Sequence, residues 1–472
     1  MQKKIIALAV AGLASSAAFA QTNVVVYGVA DGTFDYVWQS GSQLQSETTT
    51  LTVTPAGAIV PAGTGVRISR QDNDVDFTRV SANSSYVGFK GSEDLGNGLK
   101  ALFQYEMTVR FDTGSASSPV APDRDSFVGL SHDKAGTIVL GNLTGPTRAL
   151  GAALDVNPGA TGIGANSGVI GKIAGSTLKS SVGVSAVTAG TGAIVNASST
   201  LGYGSANGCG RSATCTSIFD TRWANSIAYL SPNWGGFSFA AAYVANENKT
   251  PDYGTQYVTT TNAAGVSTVT ANPFAGDLAK LDTWGYDLGI KWEGMGFMAA
   301  VTYNWAQLGD WVDTQVDNLR VGGMYTAPNW SVRAMWEKTK LDLNNGFLAS
   351  NTDQQKFGLG GTFNIGKTTL LAQWYGTNSA KDISQSKANL YEVGALYNLS
   401  KRTMLKATWA MIDNQDNSAA DFGVNAIGNT SFNASRTVGA NAAGNLVDQS
   451  VLTTSGFGAR NQGVQVGVRH SF

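Results

Sequence analysis

Hydrophobic and polar residues alternate with a period of two along most of the chain. In LKALFQYEMTVRF the odd positions Leu99, Ala101, Phe103, Tyr105, Met107, Val109 and Phe111 are apolar, while Lys100, Gln104, Glu106, Thr108 and Arg110 supply a mostly polar even face. That period marks a β-strand with one wet and one apolar face, and this one is long for a soluble domain. In VVVYGVADGTFDYVW, Val24, Val26, Phe34, Tyr36 and Trp38 oppose Asp31, Thr33 and Asp35. WGYDLGIKW repeats the pattern, with Trp284, Tyr286, Leu288, Ile290 and Trp292 set against Asp287 and Lys291.

Counting such segments predicts sixteen strands, at about 24–38, 80–91, 98–112, 124–132, 136–143, 221–231, 235–246, 282–293, 296–308, 316–327, 330–341, 354–365, 368–377, 388–399, 402–413 and 461–472. Their connections alternate in length. Tight turns such as DLGNG (94–98), EGMG (293–296) and NIGK (364–367) alternate with connections such as 39–79, 144–220 and 414–460. Alternation of this kind is a meander with all tight turns at one end. The expected fold is all-β, a 16-stranded antiparallel transmembrane β-barrel with short periplasmic turns and long extracellular loops. Apolar residues then face lipid, polar residues face water, and closure leaves no unpaired edge in hydrocarbon.

The N-terminus fits this destination. Lys3 and Lys4, the apolar run Ile5–Leu13 and Ala18-Phe19-Ala20 have the layout of a cleaved signal peptide over 1–20, leaving residues 21–472 as one exported barrel. Beyond it, no apolar run approaches the length of a transmembrane helix. The chain carries 57 glycines and only 14% charged residues, and its net charge of −1 becomes −3 without Lys3 and Lys4. A balance of that sign gives no basic platform for nucleic acid. The two cysteines, Cys209 and Cys215, lie in a Gly/Ser-rich stretch; in an oxidising compartment they favour a local disulfide. A metal site is disfavoured there because no histidine or further cysteine is near, and no cofactor is expected.

SSYVGFKGSEDLGNGLKALFQYE (84–106), RDSFVGLSHDKAGTIVLGN (124–142), RWANSIAYLSPNWGGFSF (222–239) and the closing NQGVQVGVRHSF (461–472) resemble the general, non-specific trimeric porins of Gram-negative bacteria, in the form found in β-proteobacteria. The resemblance implies an outer-membrane channel for passive diffusion of small hydrophilic solutes and ions. It also implies a homotrimer in contact with lipid and lipopolysaccharide, and a third loop, about 143–220, folded into the lumen as a constriction. Phe472 would then be the aromatic end read by the outer-membrane assembly machinery. Its register with Val464, Val466 and Val468 independently places an aromatic at the membrane interface.

Selectivity in such a pore follows bore and lining charge. The family lines its constriction with arginines; Arg222 matches one such position and Arg124 another. Arg124 shares the parity of the lipid-facing Val128 and Leu130, so it reaches the lumen only through a bulge or from the rim. Two further arginine positions of the family are Tyr86 and Asn142 here. Lys90, Lys100 and Arg110 are expected as basic wall residues, opposed by Asp31, Asp35 and Glu106. The sum predicts a weak anion preference with some aromatic or neutral-solute character. The alternative is a substrate-specific channel on the same scaffold.

GTFNIGKT (361–368) matches a phosphate-loop pattern, but alternation on both sides makes it a hairpin turn rather than a strand–loop–helix. An enzyme is not expected, because the only histidines, His132 and His470, sit in a tight turn and at the chain end, where no nucleophile–base pair is presented.

Overall fold

The computed structural model describes residues 23–41, 43–53, 59–61, 74–112, 123–172, 181–187, 194–200, 219–245, 256–261, 267–272, 284–309, 314–344, 349–381, 384–416, 418, 420–424, 427, 431–440 and 446–472. Sixteen antiparallel wall strands close on themselves. They are β1 (Asn23–Ser40), β2 (Val75–Ser81 continued by Tyr86–Gly96), β3 (Leu99–Thr108), β4 (Ser126–His132), β5 (Gly136–Thr144), β6 (Arg222–Leu230), β7 (Phe237–Val244) and β8 (Trp284–Gly294). The second half is β9 (Phe297–Gly309), β10 (Thr314–Thr326), β11 (Trp330–Asn344), β12 (Ala349–Ile365), β13 (Thr368–Thr377), β14 (Ala388–Asn398), β15 (Thr403–Asn414) and β16 (Arg460–Ser471). Among the described residues one α-helix, α1 (Pro146–Leu154), lies in the third loop.

Every neighbour in this order is also the next strand in sequence, and β1 seals the barrel by pairing with β16 from Val29↔Ser471 to Ser40↔Arg460. Phe472 completes the seam: its N–H and C=O exchange hydrogen bonds with Gly28 at 3.1 and 3.2 Å. The glycine is needed because a Cβ there would lie 2.6 Å from the Phe472 ring and 2.5 Å from the Tyr86 carbonyl oxygen.

The alternation sorts to the faces expected of it. Phe34, Tyr36, Val128, Leu359 and Val466 are exposed on the outer wall, whereas Asp31, Thr33 and Asp35 are buried inside. Aromatics gather beside the tight turns on the outer face, as in Phe297–Tyr325 and Tyr325–Trp330, with ring centroids 4.4 and 5.3 Å apart. Such a ring belongs at a membrane–water interface. GTFNIGKT is a hairpin in which β12 turns at Gly366 (φ 58°) and Lys367 into β13.

Three features depart from the sequence reading. The second strand, expected over 80–91, runs from Val75 to Gly96 but breaks at 82–85. There Asn83 takes φ 45°, and Ser85 Oγ both donates to the Ala82 carbonyl (2.6 Å) and accepts the Asp31 N–H (2.8 Å). The break turns Asn83 inward, onto Asp31 Oδ1 and Thr33 Oγ1. Second, the long connections carry strands of their own: Gln43–Val53 pairs with Leu446–Phe457, which also pairs with Ser431–Ala440. Third, part of the inner wall is apolar, because it packs against chain folded into the barrel rather than against water.

Candidate functional site

That inserted chain is the third loop. Its segment 145–172 leaves the end of β5, forms α1 and crosses the interior from β8 to β16. A nine-residue helix is marginal alone, and the wall holds it at both ends. At its N-terminus Asp287 of β8 accepts the Thr147 N–H at 3.2 Å, the Thr147 hydroxyl at 2.6 Å and the Trp223 indole N–H at 3.3 Å. A carboxylate there satisfies orphan donors and suits the positive end of the helix dipole. At its C-terminus the Tyr375 hydroxyl donates to the Leu154 carbonyl at 2.8 Å, and Arg333 donates to that of Asp155.

Glycines on the inner face make room for this. A Cβ at Gly289 would meet Pro146 at 2.6 Å, one at Gly360 would meet Val156 at 2.9 Å, and one at Gly463 would meet Ile163 at 3.0 Å. Leu150, Leu154, Ile163, Val169 and Ile170 of the loop pack with Met298, Met335, Leu390 and Ile412 of the wall. The polar contacts beneath are ionic. Arg320 is fully buried, with both terminal nitrogens on Asp220 at 2.8 Å and its Nε on Glu337 at 2.6 Å. Glu337 also accepts Lys356 at 2.9 Å and the loop's Gly171 N–H at 2.8 Å. Burial among these elements pushes the Lys172 ammonium down to about 8.

The helix buries Thr147, Leu150, Gly151 and Leu154 and exposes Ala149, Ala152 and Ala153. The loop's only described carboxylate between 145 and 172, Asp155, is buried and receives the Asn166 and Asn157 N–H groups at 2.7 and 2.8 Å. The charge that α1 itself carries is cationic. Arg148 donates to the Asp220 carbonyl and lies within electrostatic range of Arg222 and Arg124; burial and the Arg222 charge push its guanidinium down to about 10, still charged at neutral pH.

Arg124 sits before β4 begins, where its backbone N–H bonds the Glu106 carbonyl at 3.3 Å. From there its side chain turns inward, 3.5 Å from the Glu106 carboxylate and 4.6 Å above the Tyr86 ring. Burial and the neighbouring Arg222 lower its guanidinium from the usual value. Arg222 pairs with Asp125 at 3.2 Å. Tyr86 meets Tyr27 edge to face, with centroids 6.1 Å apart, and Tyr27 donates to Glu106 at 2.8 Å with Lys90 4.7 Å over its ring.

The remaining predicted residues are dispersed. Asn142 donates to the Arg124 carbonyl at 2.9 Å and so holds that segment. Asp31 pairs with Lys406 and, at 2.9 Å, with Arg469; Asp35 pairs with Arg79 at 3.1 Å. Lys100 is at the tight-turn end, 3.6 Å from Asp133, and the exposed Arg110 lies beyond the end of β3. Neither stands with the arginine cluster. The strand rises about 3.3 Å per residue, so charges on one face still separate along the bore. Cys209 and Cys215, like the expected signal segment 1–20, lie outside the described residues. Reading by strand alternation missed Arg148, Asp287 as a helix cap, and Arg320 with Glu337. The one available signal was small residues at inward positions, Gly289, Gly360 and Gly463, which mark where something packs closely.

Comparison with known proteins bears on this architecture. A family model described as Gram-negative porin matches residues 7–417. Outer membrane porin protein 32 of Delftia acidovorans is 26% identical over the whole of both chains. The major outer membrane protein P.IA of Neisseria meningitidis serogroup C is 33% identical over 133 residues, 28% of this chain and 30% of that protein. Among solved structures, the anion-selective porin from Comamonas acidovorans superposes with a TM-score of 0.60 at 21% identity, covering 96% of this chain and all of the other. With the closed barrel and the loop inside it, these matches establish that the chain belongs to the Gram-negative porin family, as a water-filled diffusion channel of the outer membrane.

Proposed function

We propose that the channel passes small hydrophilic solutes with a weak preference for anions. The carrying observation is the cluster of Arg124, Arg148 and Arg222 beside a helix whose exposed residues are alanines. The preference is weak because Arg124 and Arg222 each have a carboxylate partner, Glu106 and Asp125. Tyr86 adds no charge where relatives of this form carry arginine. The Comamonas acidovorans protein, described as anion-selective, supports the sign.

The exposed apolar wall supports assembly as a homotrimer, since a neighbouring copy and lipid both accept it, with lipopolysaccharide around the rim. Export by a cleaved segment 1–20, a Cys209–Cys215 disulfide and recognition of Phe472 by the assembly machinery complete the proposal. Reversal potentials of purified protein in asymmetric KCl test the selectivity. The expected result is a modest anion preference that Tyr86→Arg increases and Arg148→Gln decreases. A cation preference, or strong anion selectivity unchanged by Tyr86→Arg, would overturn it.

A further inference from the structure

The constriction contains more aromatic surface than chloride or a small carboxylate needs. Tyr27 and Tyr86 face the lumen from β1 and β2, half-buried, with ring planes at 77°. Each carries a cation on its face: Lys90 on Tyr27 and Arg124 on Tyr86. Tyr27 is immobilised through its hydroxyl on Glu106, which also receives Gln104 Nε2 at 3.1 Å. Arg124 is fixed through its backbone by Asn142 and Glu106. The ring–cation array is thus built in advance of any solute, the condition under which weak contacts give selective binding.

Arg148, on the first turn of α1, is within electrostatic range of Arg124. The same helix exposes Ala149, Ala152 and Ala153. The cluster itself sets aromatic rings beside guanidinium groups. A hydrated inorganic anion gains nothing from the rings. A flat apolar body bearing one negative group gains from both: its carboxylate reaches the arginines while its ring lies against Tyr86 and the Arg124 plane.

We infer that this part of the constriction is a binding subsite for planar aromatic carboxylates, formed by Tyr27, Tyr86, Lys90 and Arg124 with Arg148 and Arg222 as the carboxylate partners. The inference rests on the anion-preferring reading above and adds a solute class to it. The subsite is weak by design: a solute that stayed would block the channel, so the ring supplies enrichment at the constriction rather than capture.

Chloride current through the purified full-length protein in planar bilayers is titrated with benzoate, cyclohexanecarboxylate and acetate as sodium salts. Benzoate and cyclohexanecarboxylate share charge and approximate size, and differ in flatness and π-face. Benzoate is expected to reduce the current saturably, at a half-blocking concentration about two- to tenfold below that of cyclohexanecarboxylate, which is the range an aromatic contact supplies. Tyr86→Leu brings the two half-blocking concentrations together, and Tyr86→Phe, which keeps the ring, retains the difference. Equal block by both solutes in the unaltered protein, or a difference that survives Tyr86→Leu, would overturn the subsite. The KCl reversal potential, measured without any organic acid, reports the anion preference separately, so failure of one reading is distinguishable from failure of the other.

Discussion

Arg320 shows how much a single inward position can hold. It is fully buried between Asp220, where the loop returns to the wall, and Glu337 on the neighbouring strand; Glu337 in turn neutralises Lys356. An ion pair of this kind is costly to break because the partner is left charged without water. Glu337→Gln leaves the Lys356 ammonium buried without its carboxylate, donating to Thr339 Oγ1 2.9 Å away, and removes half of the neutralisation of Arg320. The expected loss is about 3–5 kcal/mol, read as a lower temperature at which the folded, fast-migrating form disappears in gel electrophoresis. Adding Lys356→Met should recover part of it. None of these residues was conspicuous in the sequence, where they read as ordinary polar positions of alternating strands. Tyr86 and Arg124 were legible, because one has clear parity and the other breaks it: Arg124 reaches inward only because it lies before β4 begins.

At the scale of the element, α1 is a helix made by its surroundings. Gly145 and Pro146 begin it with no side chain of its own capping the N-terminus; Asp287, 140 positions away in sequence, does so instead. Asp287→Ala should destabilise the seated loop by about 1–2 kcal/mol, the worth of an N-cap, while leaving the barrel folded. The measurement is protease cleavage within 145–172 of intact, membrane-embedded protein together with open-channel current noise, both of which rise. Asp287→Asn should restore part of the effect by accepting from Thr147. If neither changes in the alanine variant, the cap does not position the helix. The alternation that identified the strands carries no information about this helix, since its nine residues answer to a wall that exists only after closure.

Across the whole molecule, closure depends on the two ends of the chain meeting. Gly28 lies where the final residue folds over the first strand, and a side chain there meets both the Phe472 ring and the Tyr86 carbonyl oxygen. Gly28→Leu should reduce the yield of folded barrel and lower its thermal midpoint, at a cost of about 1–3 kcal/mol for overpacking. Phe472→Ala in the same chain should not restore it, because the backbone oxygen of Tyr86 stays in place. A Gly28→Leu protein that melts with the unaltered one would show that the seam is looser than its hydrogen bonds to Phe472 imply.

The sequence by itself determined the barrel. A period of two, repeated sixteen times with tight turns between alternate pairs, leaves one arrangement in which every apolar face meets lipid and every backbone group is paired. It also determined which residues face inward, since parity is a local property of the strand. It did not determine which inward residues stand together. Lys100 and Glu106 share a face of β3, yet Lys100 lies at the tight-turn end and Glu106 among the arginines, and only the loop's path makes that difference matter. Arg148 and the glycine seats on the wall belong to the same class. Their roles arise from contacts between segments far apart in the chain, and those contacts form only when the closed wall gives the loop a surface to pack against.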